Sequence, residues 1–283
     1  MLARGSVRLA ALLALVVIGA WPQDSRAQSA VPAQGRVDLL LALTVDVSLS
    51  MDLEEQRLQR DGYVAALRDP LVWKAIGMGP TGRIAITYIE WAGVATQSVI
   101  VPWTLVDGEA ASNGLADALA AKPISRARFT SISGVLSFAA RALDTSPFEA
   151  PRRVIDVSGD GPNNQGLPVL TARQEVLDKG IVINGLPIML KFGGANSYFD
   201  IPNLDDYYAD CVIGGPGAFS LPVKEASQLA DTIRRKLVLE ISGLPAGRAR
   251  VWPAQVSQPS RPPADCLIGE KLWHDYQRGR LHE

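Results

Sequence analysis

At 283 residues, the chain is long enough for one large domain or two small ones. It is 47% hydrophobic and 20% charged, with a net charge of -1 at pH 7, which excludes the strongly positive field of a nucleic-acid or anionic-membrane binder. The two histidines, His274 and His282, both lie near the C-terminus. The main part of the chain therefore lacks residues for a His-based zinc site or a His-dependent triad.

The N-terminus has the layout of a secretory signal peptide. Two arginines precede the apolar run LAALLALVVIGAW, and the polar stretch DSRAQSA follows it. This pattern predicts a signal peptide over residues 1–27, cleaved after Ala27, and then a linker over residues 28–36. The alternative is an uncleaved anchor, against which Pro22 and the short apolar run argue. We therefore predict an exported protein, periplasmic or secreted, without a stable membrane span after cleavage.

The next segments alternate between strand-like and helix-like patterns. The apolar run VDLLLALTVDV (Val37–Val47) predicts a central strand covered on both faces. MDLEEQRLQRDGYVAALRD follows with apolar residues at helical spacing, and Asp52 with Glu55 predicts a capping box at its start. RIAITYIEW (Arg83–Trp91) and TQSVIVPWTLV (Thr96–Val106) are rich in β-branched and aromatic residues and predict two strands, interpreted as a hairpin.

The second half of the chain continues this alternation. DGEAASNGLADALAA and TSISGVLSFAARALD predict two helices, and RRVIDVSGDG (Arg152–Gly161) predicts a strand that enters a glycine-rich loop. After a helix closed by Gly180, IVINGLPI and YYADCVIGG predict two strands, the second of them short. LPVKEASQLADTIRRKLVLEI predicts the last long helix. The proline-rich composition of Leu244–Glu283 predicts an extended tail without a core of its own.

Alternating strands and helices define the fold class. They predict an α/β domain over residues 37–243, with a doubly wound, mostly parallel sheet flanked by helices. In such sheets ligands bind beyond the carboxyl ends of the strands, where the strand order switches.

Polar side chains lie where three of these junctions are predicted. Asp46, Ser48 and Ser50 alternate at the end of the first strand, so their side chains point the same way if the segment is extended. Taken alone, this stretch is better interpreted as a strand end with a turn. Thr130 before a helix and Asp160 after another apolar strand add donors at the same predicted edge. Together the five residues offer hard oxygen ligands for Mg²⁺, Ca²⁺ or Mn²⁺.

These motifs resemble the von Willebrand factor type A (integrin I-like) domain. Its metal-ion-dependent adhesion site combines D-x-S-x-S, a Thr in a second loop and Asp-Gly in a third, and all of these positions match here. The likeness covers about Val37 to Gly243. The segments EWAG (Glu90–Gly93) and RRVIDVSGDGPNNQG (Arg152–Gly166) further resemble an uncharacterised bacterial exported family, DUF1194. The resemblance implies the fold and the metal site, and no biological role.

The resemblance also implies a role for each donor. Ser48 and Ser50 are expected to ligate Mg²⁺ directly, with Mn²⁺ or Ca²⁺ as alternatives, and Thr130 directly or through water. Asp46 and Asp160 are expected to act mostly through water. An open position on the ion would then accept the Asp or Glu carboxylate of a protein partner.

Three further residues are candidates for ligand contact. Trp91 ends a predicted strand at the ligand-binding edge, where its ring would contact a ligand. The alternative is that the ring fills the core. Asn163 and Asn164 follow GDGP and are candidates for ligand contact. The favoured alternative is that they form the turn.

Two pairings complete the sequence-based expectations. Asp156 lies inside a predicted strand, so we expect a salt bridge to Arg152 or Arg153. Cys211 and Cys266 are the only cysteines, and an even count in an exported chain predicts a disulfide that ties the tail to the domain.

A metal-dependent, non-enzymatic protein-binding module is the first functional hypothesis, with no role in nucleic-acid binding. A Mg²⁺-dependent phosphoryl-transfer hydrolase, which the strand followed by Asp46 would suit in the haloacid dehalogenase type, is an alternative. Domains of that type have a second acid two residues after the first, and Ser48 occupies this position here. A structural domain with a vestigial metal site is a third. The sequence does not indicate the oligomeric state.

Overall fold

The computed structural model describes residues 35–190, 199–243 and 261–280. The predicted signal peptide, most of the predicted linker and much of the predicted tail lie outside these residues. Within them the strands are β1 (Gly35–Arg36), β2 (Leu40–Asp46), β3 (Ile84–Trp91), β4 (Gln97–Val106), β5 (Phe148–Glu149), β6 (Arg153–Gly159) and β7 (Val182–Pro187). The helices are α1 (Leu53–Arg68), α2 (Pro70–Gly77), α3 (Glu109–Ala120), α4 (Ile132–Asp144), α5 (Val169–Asp178), α6 (Leu204–Tyr207), α7 (Leu229–Ser242) and α8 (Ile268–Arg280).

The main sheet has five strands in the order β4-β3-β2-β6-β7. All neighbours are parallel except β3 and β4, which form the predicted antiparallel hairpin. The chain runs from β2 outward to β3 on one side and returns to β6 on the other, so the strand order switches beside β2. The carboxyl ends of β2 and β6 therefore form the crevice in which such folds bind ligands.

Strand alternation divides the core between the two faces of this sheet. Leu39, Leu41 and Leu43 of the β2 segment pack with α1, α2, α3 and α7. Leu40 and Ala42, which point the other way, pack with α4 and α5. A strand buried on both faces has to be apolar throughout, which explains the uninterrupted run in the sequence. The predicted doubly wound α/β fold is thus confirmed.

The two edges of the sheet are built differently. On one side, residues Gly214, Ser220 and Val223 form isolated bridges to the β7 region. On the other side β4 has no further strand among the described residues, and it contains Pro102. The register between β3 and β4 also shifts around Tyr88.

The start of α1 follows the sequence prediction. The Asp52 side chain accepts a hydrogen bond from the Glu55 backbone N–H at 2.9 Å, and the Glu55 side chain accepts one from the Asp52 backbone N–H at 2.9 Å. This capping box begins the helix directly after the loop that carries Ser48 and Ser50.

Three sequence-based expectations are wrong. The segment read as the short strand YYADCVIGG forms α6 and a π-helical turn over Tyr208–Val212, because its buried residues recur at helical spacing. The last long helix begins at Leu229 rather than near Leu221. The tail read as extended contains α8, and Ile268 at its start packs against the core. None of the helices that the structure describes is both long and apolar enough to span a bilayer.

Candidate metal centre

Four oxygen-bearing side chains meet at the ends of β2 and β6. Asp46 is the last residue of β2 and is fully buried, and its Oδ1 accepts the Ser48 backbone N–H at 2.7 Å. The Ser48 and Ser50 hydroxyl oxygens lie 2.7 Å apart, and the Ser50 hydroxyl donates to Asp160 Oδ1 at 2.7 Å. The first and third predicted loops therefore share one cluster of oxygens.

Thr130 occupies the neighbouring loop, just before α4. It is almost fully buried, and its Oγ1 would lie 3.9 Å from a Cβ placed on Gly161. Its backbone N–H donates to Asn164 Oδ1 at 2.9 Å, and its carbonyl accepts the Asn164 N–H at 2.8 Å. Asn164 thus clamps the Thr130 loop to the loop that follows β6, which brings the second set of predicted donors to the first.

Electrostatics at this cluster favour a cation. Burial raises the pKa of Asp46 well above its ordinary value, and the nearby Asp160 carboxylate raises it further, although hydrogen bonds from Ser48 and from the Asp160 backbone act in the opposite direction. Among the described residues, no group donates a hydrogen bond to the buried Asp46 Oδ2. A buried carboxylate oxygen normally has a partner, and a divalent cation with its bound water would supply one.

The donor types indicate which cations fit. The cluster combines hydroxyl and carboxylate oxygens, which suit Mg²⁺, Mn²⁺ and Ca²⁺ better than soft metals. Within the described ranges no group of three or more His, Cys, Asp or Glu side chains could hold a metal. A site here therefore depends on the serine and threonine hydroxyls, and the residues present fit a hard divalent ion.

Gly159, the last residue of β6, allows the close approach that the cluster needs. A Cβ at this position would lie 3.0 Å from Asp46 Oδ2 and 3.0 Å from the Tyr208 hydroxyl oxygen. Both of these side chains are fully buried, so neither can move aside. Burial, together with the Asp46 carboxylate, raises the pKa of Tyr208 well above its ordinary value and keeps the phenol protonated.

Two of the three candidate contact residues are inaccessible. Trp91 is fully buried among the apolar residues beneath α4 and is therefore a core residue, not a contact surface. Asn163 is also fully buried, and its Oδ1 accepts the Ser133 backbone N–H at 2.9 Å. Its Nδ2 donates to Leu167 O and to Glu270 of α8. Of these three candidates, only Asn164 lines the cavity beside the oxygen cluster.

The predicted partner of Asp156 is wrong. Asp156 Oδ1 lies 2.5 Å from Lys236 Nζ of α7, and the same ammonium contacts Glu240 Oε1. All three side chains are almost fully buried. The nearby arginines are engaged elsewhere: Arg152 donates to the backbone carbonyls of Glu240 and Ile241, and Arg153 pairs with Asp144.

This buried cluster has one lysine for two carboxylates. Burial and the Asp156 charge raise the pKa of Glu240 to about 7, although Lys236 and Asn184 lower it in part. Burial also raises the pKa of Asp156. Burial lowers the pKa of Lys236, but the two carboxylates outweigh it and raise the value above the ordinary one. Lys236 follows the buried Ile233 by about one helical turn, so both residues lie on the same face of α7. This spacing is the feature of the sequence that indicates burial of Lys236.

A cavity of about 520 Å³ opens beside the oxygen cluster. Its lining includes Ser48, Ser50 and Thr130 as well as several aromatic rings. Two of these rings, Trp273 and Tyr276, belong to α8. Sequence reasoning missed these two, although they lie three residues apart, on one face of a helix, in a stretch without proline.

The C-terminal segment is fastened to the domain at several points. Cys211 and Cys266 form a disulfide, with a Cα–Cα distance of 5.5 Å. Arg261 pairs with Asp210 at 2.7 Å and with Asp206 at 2.9 Å. These contacts place α8 beside the cavity.

The fold recurs in solved proteins of low sequence identity. Proximal thread matrix protein 1 from the mussel byssus, solved with a zinc-occupied MIDAS motif, matches with a TM-score of 0.54 and 12% identity, over 73% of this chain and 48% of that one. The pilus adhesin SpaC from Lactobacillus rhamnosus GG matches with a TM-score of 0.55 and 12% identity, over 73% and 31% of the two chains. A von Willebrand factor type A protein from Catenulispora acidiphila matches with a TM-score of 0.46 and 13% identity, over 73% and 43%. This chain spans less than half of each of these proteins, and the likeness concerns the fold alone.

The class of fold is therefore an α/β domain with a doubly wound, mostly parallel sheet. No curated protein sequence matches the chain. Over residues 36–245 it matches the family described as "Protein of unknown function (DUF1194)", and it belongs to that family.

Proposed function

We propose that this protein is an exported, non-enzymatic binding protein that holds a divalent cation, Mg²⁺ in the first instance, at the ends of β2 and β6. The cation would offer an open coordination position to an Asp or Glu side chain of a protein partner. The observation that carries the proposal is the convergence of the Ser48, Ser50 and Asp160 oxygens beside a buried Asp46 oxygen without a partner.

The protein's own residues have distinct tasks in this proposal. Ser48 and Ser50 provide neutral donors, so the cation keeps most of its charge and attracts an anionic ligand. Asp46 fixes the loop through its bond to the Ser48 N–H. Asn164 orients Thr130. Asp160, bonded to Ser50, and Asp46 are well placed to hold coordinating water.

One observation supports export, and a second guides the choice of metals to test. The Cys211–Cys266 disulfide is typical of proteins that fold in oxidising compartments. The mussel protein with the same fold carries zinc at its MIDAS motif, so Zn²⁺ belongs among the test metals. N-terminal sequencing of the exported protein should begin at Gln28, and retention of residues 1–27 would contradict the predicted cleavage.

Metal binding is tested by calorimetry and thermal shift on the full mature chain. Wild type should bind Mg²⁺ or Mn²⁺, and the S48A/S50A double variant should lose at least about tenfold in affinity because two direct donors are removed. Ser98→Ala, at an exposed position on β4, is the matched control and should bind as wild type does. Absence of binding to Mg²⁺, Mn²⁺, Ca²⁺ and Zn²⁺, or unchanged binding by the double variant, would refute the metal site.

Acidic recognition is tested on an array of immobilised peptides that differ only in Asp or Glu against Asn or Gln. Binding should require the acid and the metal, and a chelator should abolish it. Equal binding to the amide peptides would contradict the proposed recognition while leaving the metal result intact.

A further inference from the structure

The cavity beside the oxygen cluster is larger than a metal ion and one carboxylate need. Its volume of about 520 Å³ lies in the range of sites that enclose a side chain or small ligand. The rings of Phe129, Phe199, Trp273 and Tyr276 line it together with the hydroxyls. We call these four residues the aromatic wall.

The aromatic wall is an ordered assembly of rings. Phe129 meets Trp273 edge-on, with ring centroids 5.0 Å apart, and Trp273 stacks on Tyr276 at 5.7 Å. Phe199 lies 5.8 Å from Trp273 and 5.6 Å from Tyr276. The four rings are only partly buried, so each leaves surface toward the cavity.

Phe129 also connects the aromatic wall to the metal donors. Its φ is 72°, the one positive φ at a non-glycine position in the described chain. A bulky residue adopts this left-handed conformation only when its surroundings enforce it, and such strain is concentrated at binding sites. The strained residue directly precedes Thr130, so one turn of the chain presents a ring to α8 and a hydroxyl to the oxygen cluster.

Helix α8 is held rigidly enough to serve as a binding surface. Glu270 accepts the Asn163 side-chain N–H at 2.7 Å. Gly269 packs so closely that a Cβ would come within 2.1 Å of the Asn163 carbonyl oxygen. The disulfide to Cys211 fastens the segment two residues before the helix.

The charged groups at the cavity indicate which kind of ligand would bind there. Arg128 is exposed and adds a positive charge to the cavity lining, and Asp200 adds a negative one, so the net attraction for an anion comes from the bound cation. Anionic groups are favoured there, and aromatic or large apolar groups are favoured at the rings, which prefer edge-to-face or offset partners.

We propose that this cavity binds a peptide segment in which an Asp or Glu lies next to an aromatic residue, with the carboxylate toward the Ser48 and Ser50 hydroxyls and the ring against Trp273 and Tyr276. This rests on the proposed function and specifies its partner. Helix α8 is then the specificity-determining element of the site.

The test compares blocked tetrapeptides Gly-Asp-Phe-Gly, Gly-Asp-Ala-Gly and Gly-Asn-Phe-Gly, titrated into the full mature chain with saturating Mn²⁺. Wild type should bind the Asp-Phe peptide at least about tenfold more tightly than either of the others. The Asp-Ala peptide lacks the phenyl ring, whose burial is worth about that much, and the Asn-Phe peptide lacks the carboxylate that the cation would bind. Trp273→Ala should lose this preference and still bind Mn²⁺ as wild type does. His274→Ala, exposed on the same helix, is the matched control and should change neither.

Each outcome separates this inference from the metal proposal. Equal affinity of wild type for the Asp-Phe and Asp-Ala peptides, or no peptide binding despite Mn²⁺ binding, overturns the aromatic subsite and leaves the metal site standing. Absence of Mn²⁺ binding by wild type overturns both. Tyr276→Ala, which removes the second ring of α8, should also weaken Asp-Phe binding, so the test survives if Trp273→Ala does not fold.

Discussion

Replacing Glu240 by Gln should remove a large part of the protein's pH-dependent stability. Glu240 shares the ammonium of Lys236 with Asp156 in a buried cluster. The pKa of Glu240 is raised to about 7, above its ordinary value of 4.5, so the folded protein binds this proton more tightly than the unfolded chain does. Its contribution to the free energy of unfolding is therefore largest below pH 4.5 and is lost as the pH rises through about 7.

The size of the effect follows from the two pKa values. The interval between 4.5 and about 7, at roughly 1.4 kcal/mol per pH unit, corresponds to roughly 3 kcal/mol. Glutamine resembles the protonated carboxyl, and its oxygen can still accept the Asn184 N–H that Glu240 accepts at 3.0 Å. Glu240→Gln should thus match wild type near pH 4 and exceed it by roughly 3 kcal/mol at pH 8, or about 6 to 12 °C in melting temperature.

Urea unfolding followed by circular dichroism at half-unit steps from pH 4 to pH 8 measures this difference. Glu175→Gln, on the exposed face of α5, is the control and should run parallel to wild type. Parallel curves for Glu240→Gln and wild type would mean that Glu240 ionises alike in both states. The reasoning from one lysine shared by two carboxylates would then be refuted.

Two further substitutions test buried contacts by the same unfolding measurement. Arg60→Met should lower the free energy of unfolding by roughly 3 to 5 kcal/mol, because it leaves Glu90, which is almost fully buried, without its cation. The R60M/E90M double variant should recover much of this loss. Equal losses in the single and double variants would contradict the ion-pair argument. Gly159→Ala would place a Cβ 3.0 Å from two buried oxygens and should cost roughly 1 to 3 kcal/mol. Gly114→Ala in α3, where a Cβ meets nothing within 4 Å, should not destabilise the protein, and a similar loss there would show that the crowding at Gly159 is not the cause.

The sheet was predictable from the sequence because its signals are local. The apolar run that contains β2 reflects burial on both faces, and the capping box of α1 lies within four residues. Since β2 and β6 are parallel neighbours, their carboxyl ends lie together, which brings Ser50 and Asp160 within hydrogen-bond distance. For this reason the sequence alone predicted that Ser50 and Asp160 lie at the same edge of the sheet.

The contacts that sequence reasoning missed join distant segments. Arg153 lies three residues from Asp156, and residues three apart in a strand point to opposite faces, so this proximity in sequence was misleading. The actual partner, Lys236, is on α7 and becomes available only when that helix packs on the sheet. Helix α8 was missed for a similar reason, because Trp273 gains its ring partner Phe129 only after the tail returns to the domain.

The edges of the sheet limit how copies of this protein can associate. The β7 region is bridged by residues of the 214–223 segment, so little of its backbone is left for another strand. At β4, Pro102 has no N–H to donate, and the register shift around Tyr88 disturbs the regular edge that an approaching strand would need. A sheet with one edge covered and the other interrupted is a poor template for β-sheet aggregation, even where the protein is concentrated.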